Sequence, residues 1–356
     1  MTVTEKLAQW YEKNGRDLPW RAKGGAHPDP YAVWISEIML QQTTVKTVAP
    51  YFDRFMKRFP TVETLAAAPV DDVLLLWQGL GYYTRARKLH ECAKTVVEQY
   101  GGKFPADRAA LKKLPGIGPY TSAAIASFGF NLPEAVVDGN VIRVLTRLNG
   151  WTDPVSQIAG DIESFAAMLT KQAACPADHA SAIMDLGANV CTPRAPLCAF
   201  CPWNADCAAF KRGLTETIPN IAKLKKAVKK GYVFWIENAA GEVFVRKRAE
   251  KGLLSGLTEF PWNTDETLPF AADWTVTNET VGHVFTHFDL TLTIVRARVE
   301  LPATDGFFIP RERFKDHPFS TLMKKVAARM EKKRAVKNAA GNKNVTRNRP
   351  LFSGQI

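Results

Sequence analysis

Four of the six cysteines fall within one seventeen-residue stretch, CTPRAPLCAFCPWNADC, as Cys191, Cys198, Cys201 and Cys207 in a C-x6-C-x2-C-x5-C spacing. Core packing does not gather thiols in this way. In an intracellular chain disulfides are not expected, so four thiolates this close imply a metal centre. Structural zinc usually draws its ligands from two short-spaced pairs separated by a longer loop. Here there is a single C-x2-C pair, with unequal outer spacings and prolines between, which suits a compact loop around a cubane iron–sulfur cluster, with zinc as the alternative. Cys92 and Cys175 stand apart and read as ordinary small apolar residues.

A second group could hold a phosphate. In LPGIGPYT, Gly116 and Gly118 are one residue apart and Pro119 follows where a helix could begin, so peptide N–H groups can approach an anion with no Cβ in the way. The Lys-Ser/Thr of a P-loop is missing, and no strand precedes the turn as a dinucleotide fold requires, which weakens a nucleotide-cofactor reading. A hairpin between two helices suits a nucleic-acid backbone phosphate better. Two carboxylates are also conspicuous. Glu37 lies in an otherwise apolar helix, WISEIML, where burial would raise its pKa and let it keep a proton at neutral pH; an exposed helical Glu is the plainer reading. Asp138, in VVDGNV, stands at a helix start and is at least an N-cap.

The elements that position these groups are helical up to about residue 210. DPYAVWISEIML, VDDVLLLWQGL, TRARKLHECAKTVVEQY, ADRAALKKL, TSAAIASFGF and GNVIRVLTRLNG each read as a helix, with Asp29 capping the first and Pro30 in its first turn. Residues 214–230 turn lysine-rich and read as a linker. Beyond it the period changes to two: GYVFWI and EVFVRKR form a hairpin across ENAAG, and HVFTHFDLTLTIVRARVE alternates long enough for one or two strands. The expected organisation is a helical domain over 1–213 with a helix-hairpin-helix near 107–130 and the cysteine loop at 191–207. An α+β domain over 231–330 and a basic, disordered tail over 331–356 follow. No repeat of fixed period is present.

The 356 residues suffice for two cores, and 46% are hydrophobic. The formal charge of +12 is concentrated: residues 211–230 carry seven Lys/Arg against one Glu, and residues 324–349 carry ten against one Glu. Such tracts read equally as solvated appendages or as contacts for a polyanion. With no run of eighteen apolar residues, the chain is expected to be soluble and intracellular, without a membrane partner.

LPGIGPYT, VVDGNV and the four-cysteine loop together resemble the endonuclease III superfamily of helix-hairpin-helix DNA glycosylases. WISEIMLQQT, GLGYYTRARKL and the later VFTHF narrow the resemblance to its MutY-type adenine glycosylase branch, over residues 5 to about 325. The resemblance implies base-excision repair: hydrolytic removal of adenine mispaired with 8-oxoguanine, or with guanine, in double-stranded DNA. It also implies a [4Fe-4S] cluster on Cys191, Cys198, Cys201 and Cys207, and a monomer working on the nucleoid in a bacterial cytoplasm. Glu37 matches the general acid that protonates adenine at N7. Asp138 matches the carboxylate that stabilises or captures the oxocarbenium-like sugar, and Asn140 a residue that orients that carboxylate or the water. Tyr120 stands where lyase members carry an amine able to form a Schiff base; a phenol cannot, so hydrolysis without strand cleavage is expected, with the phenol bonded to the aspartate.

The target base must be flipped out of the duplex. By resemblance Leu40, Gln42, Thr43, Leu80 and Tyr82 work beside the orphaned partner base, with Gly116 and Gly118 on the backbone. Arg16, Leu18, Trp20, Arg21 and Ser181 match the adenine pocket. The second domain resembles a MutT-like (Nudix-like) module without the acidic pyrophosphatase signature, so it should read 8-oxoguanine through Phe285, Thr286 and His287 and not hydrolyse it. Two residues depart from the pattern: Ser181 replaces a Gln or Glu that contacts adenine, and Thr286 a serine. The rivals are an endonuclease III-like lyase, disfavoured by Tyr120 and the extra domain, and a non-catalytic DNA-binding scaffold.

Overall fold

The computed structural model describes residues 1–22, 27–222, 226–249, 252–300, 302 and 304–332. Residues 333–356 of the basic tail, and 223–225 of the linker, lie outside the described residues. The chain forms two compact units, Met1–Leu76 with Arg85–Leu224, and Trp77–Thr84 with Lys225–Ile356. The short GLGYY segment therefore groups with the second unit, not with the helical residues that flank it in sequence.

The first unit is built from helices: α1 (Val3–Asn14), α2 (Pro30–Leu40), α3 (Val45–Arg58), α4 (Val62–Ala67), α5 (Val70–Leu76), α6 (Thr84–Tyr100), α7 (Arg108–Leu111), α8 (Pro119–Ala124), α9 (Gly139–Asn149), α10 (Ala159–Gln172), α11 (Pro176–Asn189) and α12 (Ala208–Lys211). α2 begins as its sequence dictates, with the Asp29 carboxylate accepting from the Tyr31 N–H and Pro30 in the first turn. It is buried at Tyr31 and from Val33 to Met39 without a polar face, so Ser36 and Glu37 are carried into the interior along with Trp34, Ile35 and Ile38. α9 starts on the Asp138 side chain, which accepts from the Val141 N–H, and stops at Gly150 in the left-handed region.

The hairpin is shorter than its pattern suggests. α7 is a single turn, and α8 gives way after six residues to a π-helical turn, Ile125–Gly129. α7 runs only from the Asp107 cap to Leu111, and Gly129 packs flat against Pro30, where the wider turn fits. Gly116 has φ +74°, and a Cβ there would come within 2.7 Å of the Lys88 Cβ, so only glycine fits.

The second unit holds a mixed sheet in the order β3-β2-β1-β6-β5, with β4 and β7 also joined to β1 and β2: β1 (Ala227–Glu237), β2 (Val243–Lys247), β3 (Thr258–Glu259), β4 (Trp262–Asn263), β5 (Thr275–Val284), β6 (Phe288–Arg298) and β7 (Phe307–Ile309). β1 and β2 form the expected hairpin, and β5 and β6 another. β1 pairs in parallel with β6 from Ala227↔Phe288 to Glu237↔Arg298. It thus begins inside the stretch read as linker. Ala227, Val228, Lys229 and Lys230 are all exposed, so their ladder needs no apolar alternation and left no period-two signal.

Alternate residues of this sheet face two cores. Val233, Trp235, Leu290, Leu292 and Ile294 pack against Leu322, Met323 and Val326 of the helical stretch 321–332; Phe234, Ile236, Phe244 and Val295 line the opposite face. Among the described residues no helix is long and apolar enough to cross a membrane.

Candidate active site

Within the first unit a cavity of about 560 Å³, within the usual size of small-molecule sites, opens between α2, α8, α11, the start of α9 and the loop after α1. Glu37, Tyr120, Asp138 and Asn140 line it, as do Arg16, Leu18, Trp20 and Arg21, and Leu40, Gln42 and Thr43. With Met184 and Ala188 of α11, one cavity thus collects residues from five separate stretches of sequence.

Glu37 is 6% exposed. Burial raises its pKa to about 7, against the lowering effects of a hydrogen bond from Tyr120 and the charge of Arg21, while Asp138 adds to the rise. The carboxyl can therefore keep a proton near neutrality, and it is buried, not the exposed helical Glu of the plainer reading. Tyr120 does not bond Asp138. Its hydroxyl donates to Glu37 Oε2 at 2.9 Å. The carboxylate of Asp138 is already occupied elsewhere, Oδ1 by the Val141 N–H at 2.8 Å and Oδ2 by Asn140 Nδ2 at 2.8 Å. Burial beside Glu37 pushes the phenol's own pKa well up, so it stays a donor.

Trp20 is both wall and scaffold: it lines the cavity, is 4% exposed and meets Phe52 edge-on at 5.2 Å. Ser181 is not on the wall. It is buried on α11 and faces Tyr11, while Met184 and Ala188, further along the same helix, reach the cavity. The expected place of Ser181 in the adenine pocket is corrected accordingly; a hydroxyl one carbon from the backbone stays within its helix–helix contact. Gln42 lies at φ +64°, held at the end of α2 where Arg85 donates to the carbonyls of Ile38 and Gln41.

Three polar partners escaped the sequence reading. Asp185 is fully buried and takes Arg16 and Arg21 together. Arg143 donates to Asn140 Oδ1 at 2.8 Å, to the Gly187 carbonyl at 2.7 Å and to the Cys191 carbonyl at 2.8 Å, tying the cysteine loop to the Asn140–Asp138 pair. Gln41 Nε2 reaches Thr121 Oγ1 at 3.4 Å. Asp185 and Arg143 lie in helices that carry other polar and charged residues, so they lacked the signal of a lone charge in an apolar run that singled out Glu37.

The four clustered cysteines line one small cavity of their own with Arg147, whose Nη1 donates to Cys191 Sγ at 3.4 Å. Among the described residues no three His, Cys, Asp or Glu close on a point as ligands of a single metal ion do. An all-thiol donor set around a shared cavity, with a buried guanidinium at one sulfur, fits a sulfur-ligated cluster better than a lone ion.

In the second unit Phe285, Thr286 and His287 form the turn between β5 and β6. Phe285 packs against Phe288 at 4.8 Å, leaving Thr286 and His287 exposed, and the hydroxyls of Thr286 and Tyr82 meet. Leu80 is buried and Tyr82 exposed, at φ +49°.

Residues 35–166 match the family of HhH-GPD superfamily base excision DNA repair proteins, and residues 232–329 match the NUDIX domain family. The chain is 35% identical to an adenine DNA glycosylase of Rattus norvegicus, covering 90% of this chain and 76% of that protein. It is 40% identical to one of Buchnera aphidicola subsp. Baizongia pistaciae, covering 72% of each. Among solved structures, a thermostable thymine-DNA glycosylase superposes with a TM-score of 0.53 at 29% identity, over 59% of this chain and 95% of that one.

Proposed function

The chain belongs to the adenine DNA glycosylase family, a branch of the helix-hairpin-helix base-excision repair enzymes with a Nudix-like second domain, and from that premise we propose that it excises adenine paired with 8-oxoguanine, or with guanine, from duplex DNA by hydrolysis alone. The observation that carries this reading is the single cavity in which a buried, proton-holding Glu37 faces the same space as Asp138.

Adenine leaves easily only once protonated. Glu37 supplies that proton to N7 from the oxygen that Tyr120 does not engage, since the phenol donates to Oε2 and fixes the carboxyl's rotation. Positive charge then grows on the sugar. Asp138, pinned by Asn140 and the first turn of α9, presents a negative charge whose position is fixed before the reaction begins. Trp20, Leu18 and Leu40 give the extruded base an apolar slot, and Arg16 and Arg21 add donors.

No lysine is among the described residues that line the cavity, and Tyr120 cannot form an imine, which supports hydrolysis without strand cleavage. Cys191, Cys198, Cys201 and Cys207 would hold a [4Fe-4S] cluster, which when bound supplies a structural tie for the loop. Gln42 and Thr43 of the first unit would contact DNA beside the flipped base, with Gly116 and Gly118 on backbone phosphate; in the second unit the exposed Tyr82 and the 285–287 turn would read the oxidised guanine, while Leu80 is buried and unavailable to DNA. A monomer acting on nucleoid DNA in a bacterial cytoplasm completes the proposal; the likeness to the Buchnera protein supports only the bacterial setting.

The test is an excision assay on duplexes carrying adenine opposite 8-oxoguanine, guanine or thymine, scored for breaks before and after alkali and for adducts trapped by borohydride. Loss of adenine opposite 8-oxoguanine, breaks only after alkali and no trapped adduct are expected. A borohydride-trapped adduct would move the chain to the lyases.

A further inference from the structure

We propose that Asp185 is a positioning residue for excision, clamping the guanidinium of Arg21 against the wall of the cavity that holds Glu37. The proposal rests on the reading of Glu37 as the acid.

Asp185 lies in α11, has no exposed surface and does not itself line the cavity. Its Oδ1 accepts from Arg16 Nε at 2.7 Å, from Arg16 Nη2 at 2.6 Å and from Arg21 Nη1 at 2.7 Å, and its Oδ2 from the Arg16 backbone N–H at 2.8 Å. Both arginines come from the loop between α1 and α2, where no helix fixes a side chain, and both line the cavity. One buried carboxylate therefore orders two loop cations and leaves one positive charge in excess beside the acid.

The groups that face Glu37 are Tyr120 from α8, Asp138 at the start of α9 and Arg21 from the loop. Burial and Asp138 favour the protonated acid; Tyr120 and Arg21 favour the anion. Of these Arg21 stands on a loop and has its guanidinium held by Asp185 from outside the cavity. Losing Asp185 would have two opposed effects. Removing a negative charge alone would favour the Glu37 anion, whereas releasing Arg21 would favour the protonated acid, so the sign of the change distinguishes a clamp from a mere charge.

The experiment is the single-turnover rate of adenine excision against pH for the full chain with wild-type sequence and for Arg21→Gln, Asp185→Asn and the double variant. The wild-type rate should fall on the alkaline side as Glu37 loses its proton. Arg21→Gln should carry that fall to higher pH by roughly half a unit or more. Asp185→Asn should move it the same way, and the double variant no further than Arg21→Gln. A shift of Asp185→Asn to lower pH, no shift, or additive shifts would overturn the clamp while leaving the acid in place. A wild-type rate independent of pH would overturn the acid and the clamp together. Should Asp185→Asn not fold, Asp185→Glu takes its place: the guanidinium moves with the displaced carboxylate, so a displaced fall is expected and a wild-type fall overturns the proposal.

Discussion

Glu37 is held at a cost to the fold. Its pKa rises from 4.5 unfolded to about 7 folded, so the native state binds the extra proton between those values. The contribution of Glu37 to stability is therefore full below pH 4.5 and is lost as pH rises through about 7, by about 3 kcal/mol in all. Glu37→Gln removes the titration, so its thermal midpoint should exceed wild type by more at pH 8 than at pH 5; an equal difference at both would contradict the burial assigned to this residue. Proposed as the acid by resemblance, Glu37 was legible in WISEIML as a candidate buried carboxyl, a single charge in an apolar helix. Its partner was not. Tyr120 bonds Glu37, while Asp138 accepts from Val141 and Asn140, a matter of tertiary geometry that residue spacing does not carry.

At the scale of elements, caps and turns were the most readable features. Asp29 and Pro30 opened α2, Asp138 opened α9, and Gly150 closed it, each through a local interaction written in adjacent residues. What failed to show was local structure decided by remote packing, such as the π-helical turn that lets Gly129 lie against Pro30, or the strand start at Ala227, which depends on β6. The two hairpin glycines make separable predictions. Gly116→Ala meets both a left-handed φ and the Lys88 side chain, and should destabilise the first unit by about 1–3 kcal/mol and weaken DNA binding. Gly118, at φ −90° with nothing within 4 Å of where a Cβ would sit, should accept alanine without loss of thermal stability. Equal destabilisation by the two substitutions would refute this account of the hairpin.

For the whole molecule, the proposed function divides the work between two domains: excision in the helical unit, and reading of the opposite base by the 285–287 turn of the second. Motifs in family order made both domain folds legible from sequence, whereas the grouping of Trp77–Thr84 with the second unit depended on contacts remote in sequence. Thr286 retains the donor and acceptor of a serine hydroxyl. Thr286→Ala should narrow the preference for 8-oxoguanine over guanine opposite adenine by about threefold to tenfold, the worth of one hydrogen bond, measured as a ratio of single-turnover rates. An unchanged ratio would remove the turn from base recognition. The most direct measurement is the single-turnover release of free adenine from an adenine:8-oxoguanine duplex by wild type, Glu37→Gln and Asp138→Asn, each folded and saturating the DNA. Release by wild type, with each amide variant slower by about 10²–10⁴-fold, is the expected result; near-wild-type release by either variant would contradict the paired acid and carboxylate.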